Sequence, residues 1–153
     1  MSQDVSQFIL IAEDDLDDRL LYKEAIQHSG YQISCAFVGS GDELIKYLHD
    51  ESNPRPSLII MDFRMPGMSF DEVISAIEEN PQMNTIPLVV VTGSPVCGEE
   101  AKTCVKPTVT KPNTLDEWVH TLDQILTLRF ETVKLPRLHD TISYLQSHHS
   151  STT

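Results

Sequence analysis

The chain has 153 residues, enough for one domain of roughly 100–150 residues and a short extension, with a core that needs no staples. Its net charge of −12 disfavours nucleic acid, which is bound by cations set against phosphate, and suits a metal cation or a partner with a basic face. No apolar run approaches the roughly 18 residues of a membrane span, and no basic region precedes the first apolar run, so neither a membrane anchor nor a secretion signal is expected.

That first run, Phe8–Ala12, is too short for a helix and predicts a strand buried on both faces. Residues from Asp15 to His28 predict a helix that turns Leu16, Leu20, Leu21, Ala25 and Ile26 inward and ends at Gly30. Tyr31–Val38 is more mixed, as an edge strand can be. Ser40 with Glu43 is a capping-box signature before Leu44, Ile45 and Leu48. Leu58–Met61 is a second wholly apolar strand. Ser69 with Glu72 repeats the capping device before Phe70, Val73, Ile74 and Ile77. Leu88–Val91 is a third apolar strand, and Thr108–Thr110 a short, weak one. Between these two, Pro95, Gly98 and Pro107 predict a shortened or irregular helix. Thr114 with Glu117 opens a final helix with Leu115, Trp118, Val119, Leu122, Ile125 and Leu126 on one stripe.

Strands alternating with helices predict an α/β fold: a doubly wound, five-stranded parallel sheet covered on both faces. The three most apolar strands belong at its centre. That fits the order 2-1-3-4-5, which is established for flavodoxin-like sheets rather than derived from this sequence. The domain should span residues 6–129. In the extension, 130–153, the spacing of Leu135, Leu138, Ile142 and Leu145 predicts a short helix within 136–147. It would pack on its own domain or make an intermolecular contact, such as a homodimer. His148, His149 and the Ser/Thr end are expected to fray. Cys35, Cys97 and Cys104 are odd in number and widely spaced, so they form neither a disulfide framework nor a zinc pair. They read as thiols of a reducing, cytoplasmic compartment.

Parallel strands share one carboxyl edge, and acidic residues crowd there. The first strand runs into Glu13-Asp14-Asp15, with Asp17 and Asp18 just beyond. The third runs into Asp62, the fourth ends in Thr92, and the fifth is followed by Lys111-Pro112. Taken singly, each residue reads as a turn, a cap or a solvated charge. Together they place converging carboxylates beside a lysine and a hydroxyl. Carboxylates so placed repel unless a cation sits among them, and few hard oxygen ligands suit Mg²⁺. The combination suits phosphoryl transfer to a carboxylate.

At these residues the chain resembles the response-regulator receiver family, also called CheY-like. The matching stretches are Ile9-Leu10-Ile11-Ala12-Glu13-Asp14-Asp15, Leu58-Ile59-Ile60-Met61-Asp62-Phe63-Arg64-Met65-Pro66-Gly67-Met68, Val89-Val90-Val91-Thr92-Gly93 and Thr110-Lys111-Pro112. The resemblance implies that Asp62 accepts a phosphoryl group from a histidine kinase or phosphotransfer protein. It implies Mg²⁺ held by Asp14, Asp62 and the main-chain oxygen of Arg64, with Glu13 reaching the metal through water. It implies that Thr92 and Lys111 contact the phosphoryl group, and that the Lys111–Pro112 peptide is cis. The Asp17-Asp18-Arg19 helix start and the Ile86-Pro87 approach to the fourth strand are similar to single-domain regulators paired with phytochrome-type kinases.

Three departures bear on output. Lys111 follows Thr92 by only 19 positions, fewer than is usual. Thr108 stands where the family often has an aromatic switch residue. Arg64 and Ser94 lie two positions beyond Asp62 and Thr92, where the family influences dephosphorylation. The leading expectation is a stand-alone phosphorelay receiver that signals by protein contact and catalyses only its own phosphorylation and dephosphorylation. The alternative is a pseudo-receiver, an interaction module that keeps the fold but switches without phosphate. A phosphatase of the aspartyl-phosphate kind needs an acidic residue where Arg64 stands.

Overall fold

The computed structural model describes residues 7–93 and 107–132, and side chains only as far as Thr127. The expected irregular helix, the helix within 136–147, Ser94, Cys97, Cys104 and the His148-His149 pair lie outside the described residues.

Five parallel strands form one sheet in the order β2-β1-β3-β4-β5. They are β1 (Gln7–Ala12), β2 (Ile33–Val38), β3 (Leu58–Asp62), β4 (Leu88–Thr92) and β5 (Thr108–Thr110). Every residue of β3 and β4 is buried, as central strands covered on both sides require. Side chains alternate between the faces. Ile9, Ile11, Leu58, Ile60, Val89 and Val91 enter one core, and Leu10, Ala12, Ile59, Met61, Leu88 and Val90 the other. Each fully buried aliphatic contributes about 1.5–3 kcal/mol, so both layers resist displacement of the strand ends.

The helices are α1 (Leu16–Ser29), α2 (Gly41–His49), α3 (Phe70–Glu78) and α4 (Leu115–Thr132). α1 and α4 cover the first core through Tyr22, Ala25, Ile26, Trp118, Leu122 and Ile125, while α2 and α3 cover the second through Leu44, Val73, Ile74 and Ile77. Each helix after α1 starts where its capping residues stand. Ser40, Ser69 and Thr114 accept from the N–H of Glu43, Glu72 and Glu117 at 3.1, 3.2 and 3.2 Å. The return bond goes one residue further back than in the usual box: Glu43 accepts from Gly39 N at 2.7 Å, and Glu117 from Asn113 N at 2.9 Å.

α1 departs from expectation on its inward face. Leu16 and Leu20 are 70% and 56% exposed, and Leu21 is only partly buried. Tyr22 is buried instead, with its ring against Trp118 at 4.5 Å. A 3.6-residue period fixes the spacing of a stripe but not which of two overlapping stripes wins. The Tyr22-Ala25-Ile26 stripe wins because the large ring fills space between α1 and α4. The C-terminus of α1 is as expected, with Gly30 in the left-handed conformation at φ 79°.

Two contacts tie the loop after β3 to the start of α2. Gly41 N donates to Pro66 O at 3.3 Å, and Asp42 Oδ2 accepts from Met68 N at 3.0 Å. Gly67 sits between them at φ 80°, a conformation that disfavours a side chain.

Candidate functional site

The carboxyl edge of the sheet carries the acidic residues where the sequence places them. Asp15 caps α1 by accepting from Asp17 N at 2.8 Å and Asp18 N at 3.1 Å, so its carboxylate is committed to the helix. Glu13 and Asp14, just before it, face the end of β3. One oxygen each from Glu13, Asp14 and Asp62 lies within 4.8 Å of the others, close enough for one cation. Glu13 and Asp62 are buried and Asp14 is exposed, so this trio has one open side. A cleft lined by Asp14, Arg64, Met65, Pro66 and Phe70 lies beside it.

Lys111 closes the other side. Its N–H donates to Thr92 O at 2.7 Å, which fixes the backbone beside β4. Its ammonium donates to Asp62 Oδ2 and Asp18 Oδ2, both at 2.7 Å, and meets Glu13 Oε2 at 2.8 Å. The Lys111–Pro112 peptide is trans, against expectation. The isomers differ by only about 0.5–1 kcal/mol before proline, so local packing decides between them. The ammonium reaches the carboxylates from the trans form.

Burial raises the Glu13 carboxyl to about 7, and the neighbouring Asp62 charge adds to the rise; Lys111 and the Asp15 N–H pull it down. For Lys111, burial acts to lower the ammonium's pKa, but the bonds to Asp18, Asp62 and Glu13 together outweigh it and raise it.

The donor set fits a hard divalent cation. Glu13 Oε1 accepts from Asp15 N at 3.0 Å. The buried Oε2 faces the Lys111 ammonium at 2.8 Å as an ion pair, so with Asp14 and Asp62 the site offers the hard oxygen donors that such a cation takes. Asp62 Oδ1 accepts from Arg64 N at 3.0 Å, so the chain turns tightly around the carboxylate and keeps Arg64's backbone beside it. Thr92 is buried at the end of β4, next to β3.

Sequence reasoning thus anticipated Glu13, Asp14, Asp62, Thr92 and Lys111 at one edge. It counted Asp18 among the acidic residues but missed its bond to Lys111. That bond spans 93 residues of chain and no local spacing encodes it. Arg19 was read only as part of a helix-start motif, but its Nε donates to Glu13 O at 2.7 Å and its guanidinium lies 5.5 Å from the Phe37 ring, which clamps the acidic turn.

The chain is similar to proteins of one family. Residues 9–123 match the family model of the response regulator receiver domain. Response regulator Rcp1 of Synechocystis sp. is 32% identical over 90 residues, which are 56% of this chain and 61% of that relative's length. Polar-differentiation response regulator DivK of Brucella anthropi is 28% identical over 94 residues, 61% of this chain and 72% of that one. Among solved structures, the phosphorylated cyanobacterial phytochrome response regulator RcpA superposes with a TM-score of 0.71 at 27% identity, covering 86% of this chain and 99% of that one. The Mn(2+)-bound form of Rcp1 gives 0.70 at 28% identity, covering 85% and 99%. With the matched model spanning most of its length and the sheet in the order 2-1-3-4-5, the chain belongs to the response-regulator receiver family.

Proposed function

We propose that the chain is a phosphorelay receiver that accepts a phosphoryl group on Asp62 from a histidine kinase or phosphotransfer protein and passes the signal on by protein contact. The observation that carries this is the convergence at Asp62, whose carboxylate shares a cation-sized acidic cluster with Glu13 and Asp14 while taking a 2.7 Å bond from Lys111.

A carboxylate oxygen of Asp62 attacks phosphorus. The phosphorus–nitrogen bond of the donor phosphohistidine breaks, its electron pair stays on the imidazole, and an acyl phosphate forms. Charge accumulates on the phosphoryl oxygens as this happens, and Lys111 neutralises part of it. The Thr92 hydroxyl bonds the phosphoryl group. Asp14, Asp62 and the carbonyl of Arg64 would hold Mg²⁺, with Glu13 acting through water. When bound, that ion neutralises charge and orients the phosphoryl oxygens. The reaction is the protein's own phosphorylation and dephosphorylation, with no other substrate turned over. We place it in the cytoplasm, since histidine kinases present their phosphohistidine there.

Incubation with Mg²⁺ and acetyl phosphate is expected to add one acid-labile phosphate, seen as a single mass increment. Asp62→Asn should not label; equal labelling of the variant overturns the assignment. One observation favours a pseudo-receiver instead: Thr108, half-buried on β5 opposite Val90, gives that strand no aromatic ring to swing. Full labelling without change in partner affinity would select that reading.

A further inference from the structure

Asp18 is the acidic residue at the site with no duty in the proposed reaction. Of the three carboxylates on the Lys111 ammonium, Glu13 and Asp62 also belong to the cation-sized cluster, and Asp18 does not. In the reaction Glu13 would turn to a metal-bound water and Asp62 would become an acyl phosphate, so two of the ammonium's contacts must change. The third need not.

Asp18 is also firmly mounted. Its own N–H is held by the Asp15 cap at 3.1 Å, and the next residue, Arg19, is tied to Glu13 O at 2.7 Å. Its carboxylate therefore reaches Lys111 from α1, whereas those of Glu13 and Asp62 come from the ends of β1 and β3. We propose that Asp18 is a positioning residue for Lys111: a fixed counter-charge that keeps the ammonium at the α1 wall of the site, within reach of a phosphoryl oxygen.

Without it, the ammonium keeps only Glu13 and Asp62 as partners. It would then settle over the nucleophile and the cation's ligands, where it obstructs both. This inference rests on the receiver reading. In the step concerned, the Asp62 oxygen–phosphorus bond forms, and the bond from phosphorus to the donor's leaving group breaks, with the electron pair departing on that group. Asp18 exchanges no atom or proton.

The test uses the full chain with acetyl phosphate at saturating Mg²⁺. Asp18→Ala should label about tenfold more slowly, equivalent to one charge-assisted hydrogen bond at the low end of its range. Asp18→Asn keeps an acceptor without the charge and should lose about threefold. In a Lys111→Ala background, Asp18→Ala should cost nothing further, which a merely structural role would not produce. The second measurement needs no phosphoryl donor. The Lys111 ammonium of the metal-free chain should give a protected ¹H–¹⁵N resonance that Asp18→Ala removes. Normal labelling of Asp18→Ala, or an equal loss in both backgrounds, overturns the proposal and leaves the receiver reading standing. A wild-type chain that takes no phosphoryl group while its Lys111 resonance still depends on Asp18 overturns the receiver reading and, with it, Asp18's role in transfer.

Discussion

Glu13 links the acid–base state of the molecule to its stability. Folded, its carboxyl keeps its proton up to a pH of about 7; unfolded, it returns to 4.5. The native state therefore binds the extra proton between these values, so the stability this group contributes is complete below about 4.5 and is lost as pH rises through about 7. The metal-free chain should lose up to about 3 kcal/mol from this source between pH 4.5 and 8, with ionisation next to Lys111 reducing the loss. Urea melts across that range test this. Glu13→Gln should flatten the slope, and an unchanged slope would locate the proton elsewhere. The sequence shows Glu13 as one acid among several. Its raised pKa comes from burial and from the neighbouring Asp62 charge, which residue type alone does not disclose.

At the scale of the element, α1 presents the most informative discrepancy. Leu16 and Leu20 lie one helical turn apart, strongly exposed, next to the acidic turn that leads into the site. Two leucines on solvent add nothing to the core. On the proposed receiver reading, a phosphorylated protein donor docking beside α1 would meet them as an apolar foothold. Leu16→Ser with Leu20→Ser should change stability by no more than about 0.5 kcal/mol. It should slow transfer from a phosphorylated protein donor at least about tenfold, the loss of about 1.4 kcal/mol of contact. Labelling by acetyl phosphate should be unchanged, and an equal effect on both donors would show damage to the site itself. The other helices were legible because their caps are local. Ser40, Ser69 and Thr114 each need only the N–H three residues on. The inward face of α1 depends instead on what α4 brings to Tyr22, namely Trp118 from the far end of the domain.

For the whole molecule, the central place of β3 and β4 was readable because continuous apolar runs have only one place to go, whereas the full order of the sheet was known from flavodoxin-like folds and not from this sequence. The same order gathers much of the acidity at one edge, in a chain of net charge −12. A divalent cation that binds there stabilises the folded state by mass action, whereas an unfolded chain has no converging carboxylates to offer. At a hundred times its dissociation constant, Mg²⁺ should raise unfolding free energy by about 2.7 kcal/mol, and Na⁺ at matched ionic strength should not. Asp14→Asn should remove most of that gain in denaturant melts. An equal gain from both salts would reduce the effect to general screening of the net charge.

The stitch between α2 and the loop after β3 has a mechanical meaning. Gly41 N and the Asp42 carboxylate hold Pro66 O and Met68 N, on either side of Gly67. The same short loop carries Arg64, whose N–H grips Asp62 Oδ1. The first turn of α2 is therefore linked to Asp62 by two hydrogen bonds and a few residues of backbone. A movement of α2 would reach the carboxylate of Asp62 along this route, as a tiller reaches a rudder, from outside the cluster of Glu13, Asp14 and Asp62.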